Sequence, residues 1–177
     1  MGRFYGRIPL EFGAAFLYFH KKGIVQELIH KLKYKGHQEI GQSIGFWYGE
    51  ELKSVAAIET INYIIPVPLH KKRYKERGYN QVTAFGKALS ESLKVEYNEA
   101  ILNRIIYSNT QVRKNIADRS DVTESVFKVT YEEKLHNQHF LLIDDVITTG
   151  ATLESCGREI LKIPGAKLSI VCMAMTQ

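Results

Sequence analysis

Apolar residues recur at helical spacing early in the chain and in short unbroken runs later. Ile24, Val25, Leu28, Ile29 and Leu32 fall three and four apart, which predicts an amphipathic helix over residues 22–35 that ends near Gly36. Ile40, Ile44, Trp47, Tyr48 and Leu52 predict a second helix, with Trp47 in the core. The run Tyr63-Ile64-Ile65-Pro66-Val67-Pro68 predicts a buried strand that leaves its sheet at the prolines. Val82, Phe85, Leu89 and Leu93 mark a further helix, with Asn80 as its N-cap. Residues 101–106 are strand-like, and residues 109–121 are polar, charged and without a clear period. An apolar strand over 139–146 follows, then a helix with Leu153, Cys156, Ile160 and Leu161 on one face, ending near Pro164-Gly165. A last strand covers 168–175. Strands alternating with helices predict an α/β layer fold with a mainly parallel sheet. The chain reads as a single domain, 1–177, with about residues 1–55 as a helical cap.

Composition narrows the class without naming a function. A chain of 177 residues with 45% hydrophobic and 24% charged residues buries a real core and resembles an ordinary globular domain. No apolar run approaches the roughly 20 residues that cross a bilayer, so no membrane partner is expected. The N-terminus has no signal-peptide core. Cys156 and Cys172 lack ligand-like spacing and read as small core residues in a reducing compartment, which makes cytoplasm the expected location. The net charge of +5 matters less than its placement. Between His70 and Asn80, Lys71, Lys72, Arg73, Lys75 and Arg77 face only Glu76, a local charge of +4. One concentrated basic loop suits a discrete polyanion better than a nonspecific nucleic-acid surface, and an ordinary solvated loop is the plain alternative.

The chemistry concentrates in Phe140-Leu141-Leu142-Ile143-Asp144-Asp145-Val146-Ile147-Thr148-Thr149-Gly150-Ala151-Thr152. An apolar strand runs into two adjacent carboxylates, then into hydroxyls and a glycine, and a helix follows. Free N–H groups and the dipole at a helix N-terminus favour an anion such as phosphate. The carboxylates repel phosphate and suit hydroxyls or a metal, so the ligand pattern is a sugar diol with a phosphate, a ribose 5-phosphate. An isolated Asp pair or Thr-Gly pair would be an ordinary strand end and helix cap; the whole segment is not. The basic stretch 66–81 also lies between a strand and a helix, which brings it to the same carboxyl edge of the sheet. There Lys71, Lys72, Arg73 and Arg77 would meet a pyrophosphate, a group that arginine's planar fork binds through two oxygens. His70 and Tyr79 read as structural. P-loop and Rossmann glycine fingerprints, a His-Glu-x-x-His pair and a cysteine quartet are all absent from the sequence.

Segment 140–152 resembles the phosphoribosyl pyrophosphate signature of type I phosphoribosyltransferases. The resemblance implies that Asp144 and Asp145 hold the ribose 2- and 3-hydroxyls and that Thr148, Thr149, Gly150, Ala151 and Thr152 wrap the 5-phosphate. It also implies a type I phosphoribosyltransferase-like fold, a mainly parallel central sheet flanked by helices with an N-terminal helical cap. Pro66-Val67-Pro68-Leu69, Arg73 and Arg77-Gly78-Tyr79-Asn80-Gln81 look like the ComF family, phosphoribosyltransferase-like proteins linked to natural competence. Thr110, Gln111 and Arg119 match that family's mobile loop, so the likeness covers about residues 20–177. Two departures stand out. The zinc module of paired Cys-x-x-Cys knuckles that commonly begins ComF proteins is not in this sequence, and Val122 stands where an Asn often follows the mobile-loop Arg. The likeness to amidophosphoribosyltransferases is more distant.

On this resemblance the ligand is phosphoribosyl pyrophosphate or a related ribose phosphate, with Mg²⁺ as cofactor. The metal would ride on the ligand, assisted by Asp144 and Asp145, with no dedicated protein site. In a transferase, pyrophosphate would leave ribose C1 through an oxocarbenium-like transition state as a nitrogen nucleophile enters, without a protein nucleophile. Three readings are open. One is a phosphoribosyltransferase whose acceptor would be chosen by cap segment 1–55. Another is a non-catalytic competence or DNA-uptake factor that keeps the site for ligand sensing and acts through protein partners. The last is a direct single-stranded DNA binder, for which aromatic interleaving is thin.

Overall fold

The computed structural model describes residues 4, 6–105 and 126–176; Thr110, Gln111, Arg119 and Val122 lie outside them. A five-stranded sheet forms the centre, in the order β1 (Phe12–Phe19), β7 (Lys167–Thr176), β6 (His139–Ile147), β2 (Tyr63–Pro66), β3 (Glu96–Tyr97). Every neighbouring pair is parallel. The helices are α1 (Ile24–Tyr34), α2 (Gln38–Leu52), the single turn α3 (Ala56–Glu59), α4 (Lys71–Arg77), α5 (Thr83–Leu93) and α6 (Ala151–Ile160). A separate antiparallel ribbon pairs β4 (Leu102–Arg104) with β5 (Phe127–Val129). The expected α/β architecture, a parallel sheet flanked by helices, is the one found. Among the described residues no helix is long and apolar enough to cross a membrane.

Strand alternation sorts the core into two layers. Ile64, Leu141, Ile143, Val171 and Met173 join Leu32, Tyr48, Phe85 and Leu89 from α1, α2 and α5. Ile65, Phe140, Leu142, Ile170 and Cys172 pack on the other face against Leu153, Cys156 and Ile160 of α6. With both faces covered, the central strands read as continuous apolar runs. Both cysteines are free and buried, and burial pushes their thiols up in pKa, which leaves them as packing residues.

Two expectations need correction. Residues 12–19, assigned with the helical cap, form the edge strand β1, in register with β7 from Phe12↔Ser169 to Phe19↔Thr176. Phe-Gly-Ala-Ala-Phe-Leu-Tyr-Phe is a short apolar run whose period does not separate strand from helix, and pairing with β7 decides the matter. The helical part of the N-terminal region therefore begins at Ile24. Trp47, expected in the core, is 73% exposed, its ring 6.5 Å from that of Phe16. The buried stripe of α2 runs through Gly41, Ile44, Gly45, Tyr48, Gly49 and Leu52, so glycines turn it away from Trp47.

Those glycines let α5 approach closely. A Cβ on Gly45 would lie 2.6 Å from the Ala88 Cβ and 2.7 Å from the Phe85 carbonyl oxygen. Gly45→Ala should therefore cost about 1–3 kcal/mol through overpacking. Thermal melting should show a loss of about 2–10 °C for a domain of this size; an unchanged Tm would mean the helices separate freely.

Candidate functional site

The order of the sheet creates a crevice. From β2 the chain passes through α4 and α5 to β3 on one side, whereas from β6 it passes through α6 to β7 on the other. The connections diverge between β2 and β6, and such a switch point at the strands' carboxyl ends is where open α/β sheets bind ligands. Pro66 pairs with Ile143, so Asp144 and Asp145 project just beyond the last β2 pair. A cleft of about 420 Å³ opens there, lined by Pro68, Leu69, His70 and Arg73 from the β2 side and by Asp144, Asp145 and Thr152 from the β6 side.

A smaller pocket of about 40 Å³ lies next to it, formed by Asp144 and residues 146–153. It has room for a compact group of a few atoms, and it shares Asp144 and Thr152 with the cleft. Thr148 and Thr149 are exposed in the turn between β6 and α6. Gly150 precedes α6 with φ 80° and ψ −2°, a left-handed conformation that favours glycine. Its missing side chain also makes way for the Phe4 ring, 3.1 Å from where a Cβ would stand. The N-terminal segment straps this turn. Arg7 donates to the Thr149 carbonyl oxygen at 3.4 Å and pairs with Glu154 at 3.5 Å, while Arg158 donates to the Arg7 carbonyl oxygen at 3.0 Å.

The two carboxylates have different surroundings because successive strand residues face opposite sides. Asp145, 5% exposed, points to the α1/α5 side, where its Oδ2 accepts from Lys33 Nζ and from Gln81 Nε2, each at 2.8 Å. Asp144 is half-buried on the α6 side, and its Oδ1 accepts from the Asp145 backbone N–H at 2.8 Å. Burial and, after it, the neighbouring Asp145 carboxylate push Asp144 up to about 7. Among the described residues no three His, Cys, Asp or Glu side chains cluster as a metal cage.

The basic segment is helical where a loop was expected. His70 caps α4 by accepting from the Lys72 N–H at 3.2 Å, and Gly78 ends it at φ 79°. Of the four basic residues expected at a pyrophosphate, Arg73 lines the cleft, and Lys71 and Lys72 are exposed on α4 without lining it. Arg77 donates to the Gln81 Oε1 and lies 5.1 Å over the Tyr34 ring. Three cleft residues carried no assigned role in the sequence: Lys33, Gln81 and Arg104. Lys33 and Arg104 stand far from the motifs in sequence, and only packing brings them in. Gln81 closes a quoted motif, and that position was the available signal.

No protein-family model matches the chain. The DNA utilization protein YhgH of Shigella flexneri is 26% identical over 152 residues, 84% of this chain and 66% of that protein. Competence protein F of Haemophilus influenzae is 33% identical over 101 residues, 56% of this chain and 44% of that protein. Competence protein ComFC of Bacillus subtilis is 27% identical over 139 residues, 78% of this chain and 54% of that protein. The chain is ComF-like. It spans about two thirds of the length of the YhgH protein and about half that of the two competence proteins. Among solved structures, adenine phosphoribosyltransferase from Leishmania tarentolae aligns over 89% of this chain and 90% of its own, at 11% identity and a TM-score of 0.48.

In this ComF-like protein, Arg77-Gly78-Tyr79-Asn80-Gln81 works as a brace. The Tyr79 hydroxyl donates to the Leu32 carbonyl oxygen on α1. Asn80 Nδ2 donates to the Val67 carbonyl oxygen at 3.1 Å, and its Oδ1 accepts from the Val82 N–H at 3.3 Å. It closes the turn before α5 rather than capping that helix as expected, because the N-cap position falls on Val82. Gln81 carries the brace onward to Asp145. The motif thus ties together the exit of β2, the end of α1 and one acid of the β6 pair.

Proposed function

We propose that the cleft binds a 5-phosphorylated ribose carrying a pyrophosphate at C1, phosphoribosyl pyrophosphate, together with Mg²⁺. The observation that carries this is the meeting of the two pockets at Asp144 and Thr152. A 5-phosphate on the turn 148–152, held by N–H and hydroxyl donors at the helix end, sets the sugar beside Asp144. The C1 substituent then points into the wider cleft, toward His70, Arg73 and Arg104. Asp144 accepts a hydrogen bond from a ribose hydroxyl, and the two arginines neutralise the pyrophosphate. If pyrophosphate leaves, the same arginines stabilise its growing charge, and orientation by the turn and Asp144 supplies the rest. The residues fit Mg²⁺ in the way that ion prefers, one or two carboxylates with ligand phosphates, where it would supply further charge stabilisation.

Whether the bound ligand is turned over divides two readings. The names of the relatives favour a part in competence and DNA utilization. The cleft lining supports ligand sensing over transfer to a nucleobase, because among the described residues it includes no Phe, Tyr or Trp on which a base would stack, and His70 is its one aromatic ring. Calorimetric titration with phosphoribosyl pyrophosphate and Mg²⁺ tests the reading common to both, with saturable one-to-one binding as the expected result. No heat and no ligand-induced rise in Tm would overturn it. Pyrophosphate release with any base or amine in a panel would favour transfer.

A further inference from the structure

Asp145 is already occupied by a cation. Lys33 Nζ sits 2.8 Å from its Oδ2, and the two side chains are only 20% and 7% exposed. The lysine is held by its neighbours on both sides: the Leu32 carbonyl oxygen accepts from Tyr79, and the Tyr34 ring lies under Arg77. Gln81 donates to the same Asp145 oxygen. Leu32 and Tyr34, on either side of Lys33, are thus anchored to the segment that also braces Asp145, so the pair is built into the fold. A Mg²⁺ on the same oxygen, at the 2.0–2.1 Å that ion requires, would lie no more than about 5 Å from the ammonium, a strongly repulsive distance away from bulk water.

We propose that Lys33 is a resident counter-cation that takes the place of a metal at Asp145, so that the sugar end of the cleft binds ligand without Mg²⁺. The metal is then needed only where pyrophosphate is present. The inference rests on the ribose-phosphate reading of the cleft and makes Lys33 a positioning and specificity residue. It sets which ligand portions are metal-dependent.

The test uses the full chain, Lys33→Met and the charge-preserving Lys33→Arg, with two probes. With Mg²⁺ alone, against NaCl of matched ionic strength, the unaltered protein and Lys33→Arg should shift in Tm by less than about 1 °C, and Lys33→Met by several degrees, because the vacated carboxylate now binds metal. With ribose 5-phosphate, the unaltered protein should bind within about twofold equally with and without Mg²⁺. Lys33→Met should bind about tenfold or more weakly until Mg²⁺ is added, an effect expected when a close counter-charge is lost. A requirement for Mg²⁺ by the unaltered protein, or a Lys33→Met that ignores Mg²⁺ in both assays, overturns the assignment. If Lys33→Met does not fold, the metal dependence of the unaltered protein and of Lys33→Arg decides. If the unaltered protein binds no ribose 5-phosphate under any condition, the ribose reading fails, and the Mg²⁺ melts still decide whether Lys33 holds Asp145 against a metal.

Discussion

Asp144→Asn is expected to make the protein more stable and a much weaker binder of ribose 5-phosphate. The native carboxyl titrates higher than an unfolded aspartate, near 3.8, because burial and then Asp145 disfavour its charge. For an acid whose folded pKa is raised, the stabilising effect of protonation is fully present below the unfolded pKa and is lost as pH rises through about 7. At pH 8 the fold therefore carries the cost of a charged Asp144, and asparagine removes that cost while still accepting the Asp145 N–H. A gain of about 1–2 kcal/mol, or about 2–8 °C in Tm, is expected at pH 8, shrinking toward zero near pH 4. Affinity for ribose 5-phosphate should fall by about 30-fold or more, since a charged acceptor of a buried hydroxyl contributes about 2 kcal/mol or more. In the unaltered protein the same affinity should weaken below pH 7, as Asp144 takes up its proton. Melts across pH and calorimetry check both halves, and a destabilised Asp144→Asn at pH 8 would contradict the account. Such an exchange of stability for binding is common at functional sites. Asp145→Asn should behave differently, because it breaks the ion pair with Lys33 and so costs fold stability as well as affinity.

The second large effect is expected from the two arginines that face the cleft. Arg73→Ala with Arg104→Ala should weaken phosphoribosyl pyrophosphate by about 100-fold, as two charge-assisted hydrogen bonds at about 1.5–3 kcal/mol each imply. Ribose 5-phosphate, which lacks the C1 pyrophosphate, should change by less than about threefold, since charges at a solvated distance are screened. Calorimetry with the two ligands side by side gives the ratio. Equal losses for both would place the pyrophosphate elsewhere. Lys71→Ala and Lys72→Ala, exposed on α4 and not part of the cleft lining, serve as controls with a smaller effect on either ligand.

Much of this site was legible because its signals are local. A strand running into Asp144-Asp145 and then a Thr-Thr-Gly turn before α6 is written in consecutive residues, and backbone geometry does the rest. The basic segment 70–78 was legible as charge. Its helical form was not, because seven residues make too short a run for periodicity, and the ring of His70 and the left-handed Gly78 are what close it at each end. Trp47 misled for a related reason. Large apolar residues usually mark the buried stripe of a helix, but on α2 the buried side is set by Gly41, Gly45 and Gly49 fitting against α5. The edge strand β1 was hidden because an apolar octapeptide is strand or helix according to what it meets.

The sequence by itself determined the α/β order of elements, the paired acids, the glycine turn and the concentration of basic charge after β2. Each of these depends on neighbours a few residues away and on backbone rules that hold in any fold. Only the tertiary structure decided how the two acids divide. Strand alternation turns Asp145 toward Lys33 and Gln81 and Asp144 toward the α6 side of the cleft, and the partners of Asp145 come from α1 and the turn before α5, more than 60 residues away in the case of Gln81. The same holds for Arg104, delivered by a ribbon outside the main sheet, and for Arg77, whose side chain is engaged by Gln81 and Tyr34. A charge can be read from the sequence, but the partner that claims it is set by packing.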